Sequence, residues 1–492
     1  MIINKMQFAR KCFEAGIAGV APDRLIRNNV SLQKEMLVIN GHAFDLSIFR
    51  RIFVVGAGKA SGLMAFTLEE VLGDQVTGGV VVVKYGHAAP CRRIEILEAA
   101  HPYPDQAGVE ATQKMMRLCE EARESDLVLC VWSGGGSALL TDVPEGGRLD
   151  DVMRLSKALV NSGAEIGEIN AVRKHLSRVK GGQLSRLAYP AQVVSLILSD
   201  VVGDPLDVIA SGPTVPDAST FEDALVVLRK YQLKEQMPAR LLQILKQGAA
   251  GHIPETMKIS DPALARTVNQ IIGSNRIALE AAGQYAQTQV ASVRIVTDRL
   301  EGNTEAAAAE IVRVACEAQT NADIPKPACL LFGGETTLQV TGGGVGGRNQ
   351  HLALKAALLL RGRKGITVLA GGTDGTDGPT DMAGAVVDGN TCAEAERVGL
   401  DAEASLRSFD AYPFFKKVGG HVYTGPTLTN VMDMAIVVIE KQRCSAMVAE
   451  WRSARVKRSH LLCGSNVGPV GNRTCPVGNR TYWSPPLPSG LR

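Results

Sequence analysis

The chain has 492 residues, of which 45% are hydrophobic and 21% charged, a balance typical of a globular protein with more than one domain. Its 53 basic and 50 acidic residues leave a net charge of +3, which argues against nucleic acid or an anionic membrane as a partner. No apolar run approaches the ~18 residues of a membrane span, and the N-terminus lacks a signal-peptide core. Since the ten cysteines show no metal-ligand spacing, we expect a cytoplasmic protein with free thiols. A homo-oligomer stays open.

The N-terminal half is expected to form a parallel sheet. Residues 1–40 have an amphipathic, helical pattern, and from about residue 50 to residue 240 short apolar runs alternate with helical stretches. Such alternation indicates repeated strand–helix units with helices on both faces of the sheet. The strand candidates are RIFVVGAG, GGVVVVKYG, RIEILEAA, LVLCVWSGGG and QVVSLILSD. We therefore expect an α/β protein whose N-terminal domain, residues 1–250, is Rossmann-like with three layers.

A second α/β domain is expected over residues 260–440. The preceding segment, KQGAAGHIPETMKIS, combines Gly, Pro and charge without periodicity, as linkers do. The strand candidates of the second domain are VRIVTD, ACLLFGGETTLQV, GITVLAGGTDG and MDMAIVVIE. Residues 441–492 contain PVGNRT twice and follow neither a helix nor a strand period, so we expect a disordered tail there.

The loop GAGKASG, which begins at Gly56, joins a buried strand to a helix. Its glycines would let backbone N–H groups approach an anion, so Gly56, Gly58 and Ser61 are candidates for phosphate binding. Lys59 is unusual there, because an ammonium at a helix start is repelled by the helix dipole unless an anion arrives. The alternative is a solvated lysine on a surface turn. The loop matches neither Walker A nor a strict dinucleotide fingerprint.

A second glycine loop follows the strand LVLCVW. Its residues Ser133, Gly134, Gly135, Gly136 and Ser137 could form a nest of backbone amides for carboxylate or phosphate oxygens. A simple tight turn between strand and helix is the alternative.

Two further loops are rich in aspartate. Asp200 follows an apolar strand, and Asp374 and Asp377 lie in GGTDGTDGPTD. Carboxylates at strand ends can hold Mg²⁺ or accept a hydroxyl proton. The alternative is that these residues only start turns or form a solvated acidic surface.

The loop GGETTLQVTGGGVGGRNQ precedes a predicted helix. Its glycines, Gly343 and Gly344 among them, suggest a flexible flap whose amides cover phosphates, and Glu335 begins it. Arg348 stands at the helix entry, where the dipole disfavours a cation just as it does at Lys59. Two cations at helix starts in separate domains suggest that both contact one shared anion.

Seven stretches in this order resemble the glycerate 2-kinase family, whose C-terminal part is the MOFRL domain and whose members are sometimes labelled hydroxypyruvate reductase. They are VVGAGKAS, HPYPD, SGGGSALL, INAVRKHLSRVKGGQLS, LSDVVGDPLDVIASGPTVPD, GGETTLQVTGGGVGGRNQ and GGTDGTDGPTDMAGAVVDG. The likeness spans roughly residues 1–439, so the tail departs from it.

The resemblance implies ATP- and Mg²⁺-dependent transfer of phosphate to the 2-hydroxyl of D-glycerate, in a cleft between two α/β domains. It also implies that Lys59, Arg348 and Asp374 occupy the family's active-site positions. Either Asp374 or Asp200 would hold Mg²⁺ or take the hydroxyl proton, with Asp377 as a further metal candidate. The glycine nests, with Ser61, Ser133, Ser137 and Glu335, would surround substrate and phosphate oxygens.

Two other functions stay open from the sequence. An NAD(P)H-dependent hydroxypyruvate reductase would use the Gly56 turn, although Lys84 stands where an acidic ribose ligand is usual. The second of these functions is that of a non-catalytic protein that senses sugar acids or phosphate. His101 and His175 are expected to be structural or to orient the substrate.

Overall fold

The structure is a computed structural model and describes residues 4–441. The expected tail therefore lies, apart from Lys441, outside the described residues. Residues 4–441 contain two six-stranded sheets and one three-stranded sheet. None of the helices in this range is both long and apolar enough to cross a membrane.

The N-terminal segment is helical only at its beginning. It forms helices α1 (Lys5–Gly19) and α2 (Pro22–Asn29), then the antiparallel strands β1 (Val30–Gln33), β2 (Met36–Ile39) and β3 (His42–Asp45). The expectation of helix up to residue 40 is therefore wrong from Val30 onward. In β1, Val30 and Leu32 are more buried than Ser31 and Gln33, which is the two-residue alternation of a strand.

The first six-stranded sheet is entirely parallel, as expected. Its strands are β4 (Arg51–Ala57), β5 (Gly78–Lys84), β6 (Ile94–Ala99), β7 (Asp126–Trp132), β8 (Gln192–Leu198) and β9 (Thr267–Gly273), in the spatial order β6-β5-β4-β7-β8-β9. Every residue of β7 is buried, because helices cover both faces of such a sheet.

Helices pack on both sides of this sheet and make the expected three layers. Those between β4 and β9 are α3 (Ser61–Leu72), α4 (Gln106–Glu120), α5 (Gly136–Leu139), α6 (Leu149–Asn161), α7 (Ile166–Lys174), α8 (Gln183–Ala188), α9 (Phe221–Lys230) and α10 (Ala239–Ala249). Met64 and Leu68 of α3 pack with one set of strand side chains, and Ala111 and Met115 of α4 pack with the opposite set. Helices α6, α7, α9 and α10 share a separate small core.

The second six-stranded sheet is mixed. Its strands are β10 (Ser292–Leu300), β11 (Ala328–Gly334), β12 (Ile366–Gly372), β13 (Gly384–Asp388), β14 (His421–Val422) and β15 (Asp433–Ile439), in the order β10-β11-β15-β12-β13-β14. Only β10 and β11 are parallel to each other, and β15 pairs antiparallel with both of its neighbours. The accompanying helices are α11 (Asn275–Gln287), α12 (Thr304–Thr320), α13 (Arg348–Leu359), α14 (Thr391–Arg397), α15 (Ala402–Arg407) and α16 (Ala411–Val418).

The expected domain limits, 1–250 and 260–440, cut across this packing at two places. Strand β9 lies beyond residue 260, yet it forms the edge of the first sheet. Helix α1 lies before residue 250, yet it packs on the second sheet and on α11. A Cβ at Gly16 would lie 2.7 Å from Cε of Met434, and one at Gly19 would lie 2.3 Å from Cβ of Ala281. The two-domain α/β fold is confirmed, and its limits are better drawn by the sheets than by the linker.

Candidate active site

A cavity of about 1280 Å³ lies where the carboxyl ends of the first sheet face loops of the second. The first sheet contributes Lys59, Gly135, Ser137 and Asp200 to its wall, and the second contributes a larger set. That set includes Glu335, Gly346, Gly347, Arg348, Asp374, Asp377 and Asp433. The carboxyl ends of parallel strands are the usual ligand site of such sheets. Many of the residues predicted from the glycine and aspartate loops therefore do meet in one cavity.

The backbone of Lys59 forms the hydrogen bonds that fix this residue in the cavity wall, and its side-chain ammonium does not take part in them. Its N–H donates to the carbonyl of Gly134 at 2.9 Å, and its own carbonyl lies 2.8 Å from Nδ1 of His87. Within residues 4–441, no hydrogen bond or ion pair involves the ammonium of Lys59. The side chain lines the cavity, so this cation is available to an anionic ligand.

The neighbouring serines do not line the cavity, which corrects their prediction as phosphate ligands. Ser61 and Ser133 are fully buried, and their hydroxyl oxygens lie 2.9 Å apart. Ser61 also donates to the carbonyl of Val131, and Ser133 accepts from the N–H of Ala60. These bonds join the loop after β4 to the loop after β7, so the two serines position Lys59 rather than contact a ligand.

Two predicted glycines in the first loop also serve packing. A Cβ at Gly56 would lie 2.3 Å from the carbonyl oxygen of Val131, because strand β4 runs close to β7 there. Gly58 has φ +143°, and its Cβ would lie 2.0 Å from Oγ of Ser133, so only glycine fits. Neither residue lines the cavity, and the expectation that they bind phosphate is not supported.

The second glycine loop lies between Lys59 and Asp200. Gly135 has φ +83°, and the position of a Cβ there is 3.5 Å from Cε of Lys59. A Cβ at Gly134 would lie 2.2 Å from Oδ2 of Asp200. Of this loop, Gly135 and Ser137 line the cavity, whereas Gly134 and Gly136 are covered by neighbouring residues. The glycines thus allow Lys59 and Asp200 to approach the same turn.

Asp200 is a buried carboxyl group in the cavity wall. Burial raises the pKa of Asp200 to about 6, with Lys59 opposing this shift and Glu335 reinforcing it. A carboxyl group with such a pKa can take up a proton near neutral pH. Asp200 therefore combines cavity access with the properties of a proton acceptor.

The two histidines differ in position. Nε2 of His101 lies 2.9 Å from where a Cβ of Gly135 would be, and burial, with Lys59 nearby, lowers the pKa of His101 to about 4. His101 is therefore neutral beside the glycine turn. His175 is buried between the carbonyl of Ala171 and the carboxylate of Glu255, which is a structural role.

Arg348 is paired with two carboxylates, which the sequence did not suggest. Its Nε and Nη2 donate to Oδ2 and Oδ1 of Asp433 at 2.6 and 3.1 Å, and its Nη1 donates to Oε1 of Glu335 at 2.5 Å. Although burial disfavours the charged form, these carboxylates raise the pKa of Arg348. The repulsion between this cation and the start of α13 is thus relieved within the protein, and no bound anion is needed for it.

Asp433 also lies in the site, although the sequence analysis did not predict it. It is the first residue of β15, it lines the cavity, and burial raises the pKa of Asp433 to about 6 despite the opposing effect of Arg348. Its partner is 85 residues earlier in the chain. The only sequence signal is an aspartate just before the apolar run of the closing strand.

Asp377 caps a helix, which argues against its predicted role as a metal ligand. Its Oδ1 accepts from the N–H and side-chain amide of Asn349, and its Oδ2 accepts from the same groups of Gln350. Both oxygens thus cap the first turn of α13. Asp374, by contrast, lines the cavity, and among residues 4–441 its carboxylate accepts only the N–H of Thr376, through Oδ1.

The predicted phosphate-covering glycines Gly343 and Gly344 lie outside the cavity. Gly343 has open space around it, and a Cβ at Gly344 would lie 2.3 Å from the carbonyl oxygen of Ser408. Gly346 and Gly347, a few residues later, line the cavity instead. Glu335 lines it as well, but as the partner of Arg348 rather than as a phosphate ligand.

No three His, Cys, Asp or Glu side chains of residues 4–441 are grouped as a self-sufficient metal site. Mg²⁺ commonly uses one or two carboxylates together with water and substrate phosphates. Asp200 and Asp374 both present carboxylates to the cavity, so the residues fit an Mg²⁺ ion that is bound jointly with a phosphate substrate.

Both the N-terminal and the C-terminal part of the chain match known protein families. Residues 8–246 match the family described as a domain of unknown function, DUF4147, and residues 328–433 match the MOFRL family. The chain is 43% identical to a D-glycerate 2-kinase of Thermotoga maritima, over 79% of this chain and 91% of that one. It is 39% identical to a glycerate 2-kinase of Pyrococcus horikoshii, over 87% and 96% of the two chains. The crystal structure of a glycerate kinase from Thermotoga maritima covers 88% of this chain and 99% of its own, with a TM-score of 0.79 and 40% identity.

Proposed function

The chain belongs to the glycerate 2-kinase family, and we propose that it transfers the γ-phosphate of ATP to the 2-hydroxyl of D-glycerate in the cavity between its two large sheets. The observation that carries this proposal is the placement of Lys59, whose ammonium has no partner within residues 4–441, in the same cavity as Arg348. Phosphoryl transfer needs charge neutralisation and positioning more than covalent chemistry from the protein.

In this reaction the 2-hydroxyl oxygen attacks the γ-phosphorus, the bond from phosphorus to the bridging oxygen of ADP breaks, and the hydroxyl proton leaves. We assign that proton to Asp200, because its carboxylate lines the cavity and burial raises its pKa to about 6. Lys59 neutralises the migrating phosphoryl group as a point charge. Arg348, fixed by Asp433 and Glu335, offers its planar guanidinium to the phosphoryl group or the glycerate carboxylate.

We assign Mg²⁺ binding to Asp374. This carboxylate lines the cavity, and only one of its oxygens accepts a hydrogen bond from the part of the chain that the structure describes. Both oxygens of Asp377, in contrast, are used in capping α13. Mg²⁺ would supply further charge neutralisation on the phosphates when bound.

The proposal is tested with Lys59→Ala and Arg348→Ala in an assay of ATP-dependent glycerate phosphorylation, with phosphorus NMR to identify the product. Each variant should lose turnover by about 10²-fold or more, the scale of removing one charge-stabilising group. Turnover near wild type in both variants contradicts the assignment, and a 3-phosphate product contradicts transfer to the 2-hydroxyl.

We also propose that the protein acts in the cytoplasm and that its partners are small molecules. The seven cysteines within residues 4–441 whose state is described are free thiols, as reducing compartments favour. The near balance of charge, +3 overall, supports the absence of a nucleic-acid partner.

A further inference from the structure

A second cavity, of about 410 Å³, adjoins the first and shares Gly135 and Ser137 with it. Its volume is within the range of small-molecule pockets. We propose that this second cavity holds the adenosine part of the nucleotide, whose phosphates pass over Gly135 and Ser137 toward Lys59. This inference rests on the proposed kinase function.

One wall of the second cavity is apolar. It is formed by α6, which presents Val152, Met153, Leu155 and Val160, and Tyr103 lies at the rim with 66% of its surface exposed. Glycerate is a three-carbon acid with two hydroxyls, so it has little apolar surface to bury there. A purine has two apolar faces and suits such a wall, and an aromatic side chain at the rim can stack on it.

The opposite wall is cationic. Nε of Arg173 is buried and has no hydrogen-bond partner within residues 4–441, and burial lowers the pKa of Arg173. Lys180 is buried beside it and donates to the carbonyl of Leu140. The nearby carboxylate of Asp142 already accepts from Ser177 and from the N–H of Arg178.

Within residues 4–441 neither Arg173 nor Lys180 forms an ion pair, although the charge of Asp142 favours the charged form of Lys180. The half-buried guanidinium of Arg173 can therefore donate to an anion bound beside it. A ligand with both an apolar surface and negative charge fits the two walls of this cavity. A nucleoside di- or triphosphate has both features, with its first phosphates within the cationic wall and its terminal phosphate in the larger cavity.

The test is the binding of ADP, measured by isothermal titration calorimetry, to variants that fill the cavity. Ser156→Phe projects an aromatic ring from α6 into it, and Val160→Trp does so from its exposed rim. Both substitutions should lower the affinity for ADP at least tenfold, while tripolyphosphate and glycerate bind as they do to the wild type. Arg154→Phe, at an exposed position of the same helix that does not line the cavity, should leave all three ligands unaffected.

Unchanged ADP affinity in both filled variants overturns the inference. Loss of glycerate binding with retained ADP binding also overturns it, since the cavity then holds the acid. Equal loss of ADP and tripolyphosphate contradicts the adenosine assignment as well. These outcomes differ from a failure of the proposed function, in which wild-type protein would show no glycerate phosphorylation whatever its affinity for ADP.

The cationic wall has its own test. Arg173→Met should lower the affinity for ADP at least tenfold and leave the affinity for adenosine unchanged, because adenosine has no phosphate. An equal effect on both ligands contradicts the contact between Arg173 and phosphate.

Discussion

Asp433 holds the guanidinium of Arg348 by two hydrogen bonds, of 2.6 Å to Nε and 3.1 Å to Nη2. The bonds join the first residue of β15 to the first residue of α13. A bidentate pair of this kind fixes the plane of the guanidinium as well as its position. The orientation of Arg348 in the cavity therefore depends on a carboxylate that we do not expect to touch the substrate.

Asp433→Asn should lower kcat for glycerate phosphorylation by about tenfold or more, because Arg348 loses the group that orients it. Glu335→Gln is the matched control: its pair with Arg348 is more exposed, so kcat should fall by less than in Asp433→Asn. An Asp433→Asn enzyme with wild-type kcat would exclude this positioning role.

Lys59→Met should abolish most turnover while leaving stability near wild type. Because the ammonium has no partner within residues 4–441, its removal breaks no hydrogen bond of the folded protein there. The kcat should fall by about 10²-fold or more. Lys234→Met, at an exposed position, provides the control for loss of one positive charge. Equal kinetics of the two variants would show that Lys59 is merely a surface lysine.

The activity should fall as pH decreases through about 6, because the carboxylate of Asp200 is then protonated. Asp200→Asn should remove most activity at every pH, since the proton acceptor is lost. Asp433→Asn should retain a weak activity that still falls with the titration of Asp200. A kcat/KM profile that stays flat from pH 5 to pH 8 in the wild type contradicts the role of Asp200.

The raised pKa of Asp200 also affects stability. Its ordinary value is 3.8 and its folded value is about 6, so between these pH values the native state binds more protons than the unfolded state. The free energy of unfolding therefore decreases as pH rises from about 4 to about 6 and stays lower above that. Asp200→Asn should accordingly be more stable than wild type at pH 8, by up to about 3 kcal/mol. Thermal denaturation at pH 4 and pH 8 measures this, and a variant less stable than wild type at pH 8 would refute it.

Ser133→Ala should loosen the junction of the loops after β4 and β7. It removes the contacts of the hydroxyl with Ser61 and with the N–H of Ala60 in a fully buried place. The expected loss in the free energy of unfolding is about 1–3 kcal/mol. Ser125→Ala, at an exposed position, should cost less than about 0.5 kcal/mol. If urea denaturation gives the same midpoint for both variants, the hydroxyl of Ser133 does not stabilise the junction.

The glycine turn at Gly58 bears on the reductase alternative. In a dinucleotide fingerprint the second glycine lets the backbone approach the pyrophosphate, whereas here the space beside Gly58 is filled by Ser133. We therefore expect no oxidation of NADPH or NADH when hydroxypyruvate is added without ATP, as followed by absorbance at 340 nm. Steady oxidation of NADPH or NADH in proportion to the enzyme concentration would support the reductase hypothesis instead.

The sequence was sufficient for the fold class and the family, since buried parallel strands are continuous apolar runs and the glycine loops lie at their ends. It was insufficient for the direction of β15 relative to its neighbours, because a fully buried strand has the same apolar run in a parallel and in an antiparallel sheet. It also failed at Ser61, Ser133 and Asp377, where the sequence shows a polar residue in a loop but not the direction of its side chain. The catalytic roles of Lys59, Arg348 and Asp374 stay predictions.

The position of β15 has a consequence for biosynthesis. This strand is translated after all the other strands described here, yet it lies between β11 and β12. A nascent chain that has emerged only as far as residue 432 contains Lys59 and Arg348 but lacks both the middle of the second sheet and the carboxylate that orients the arginine. Catalytic competence is therefore acquired only after β15 has been synthesised, and a polypeptide that stops before this strand would expose two unpaired strand edges.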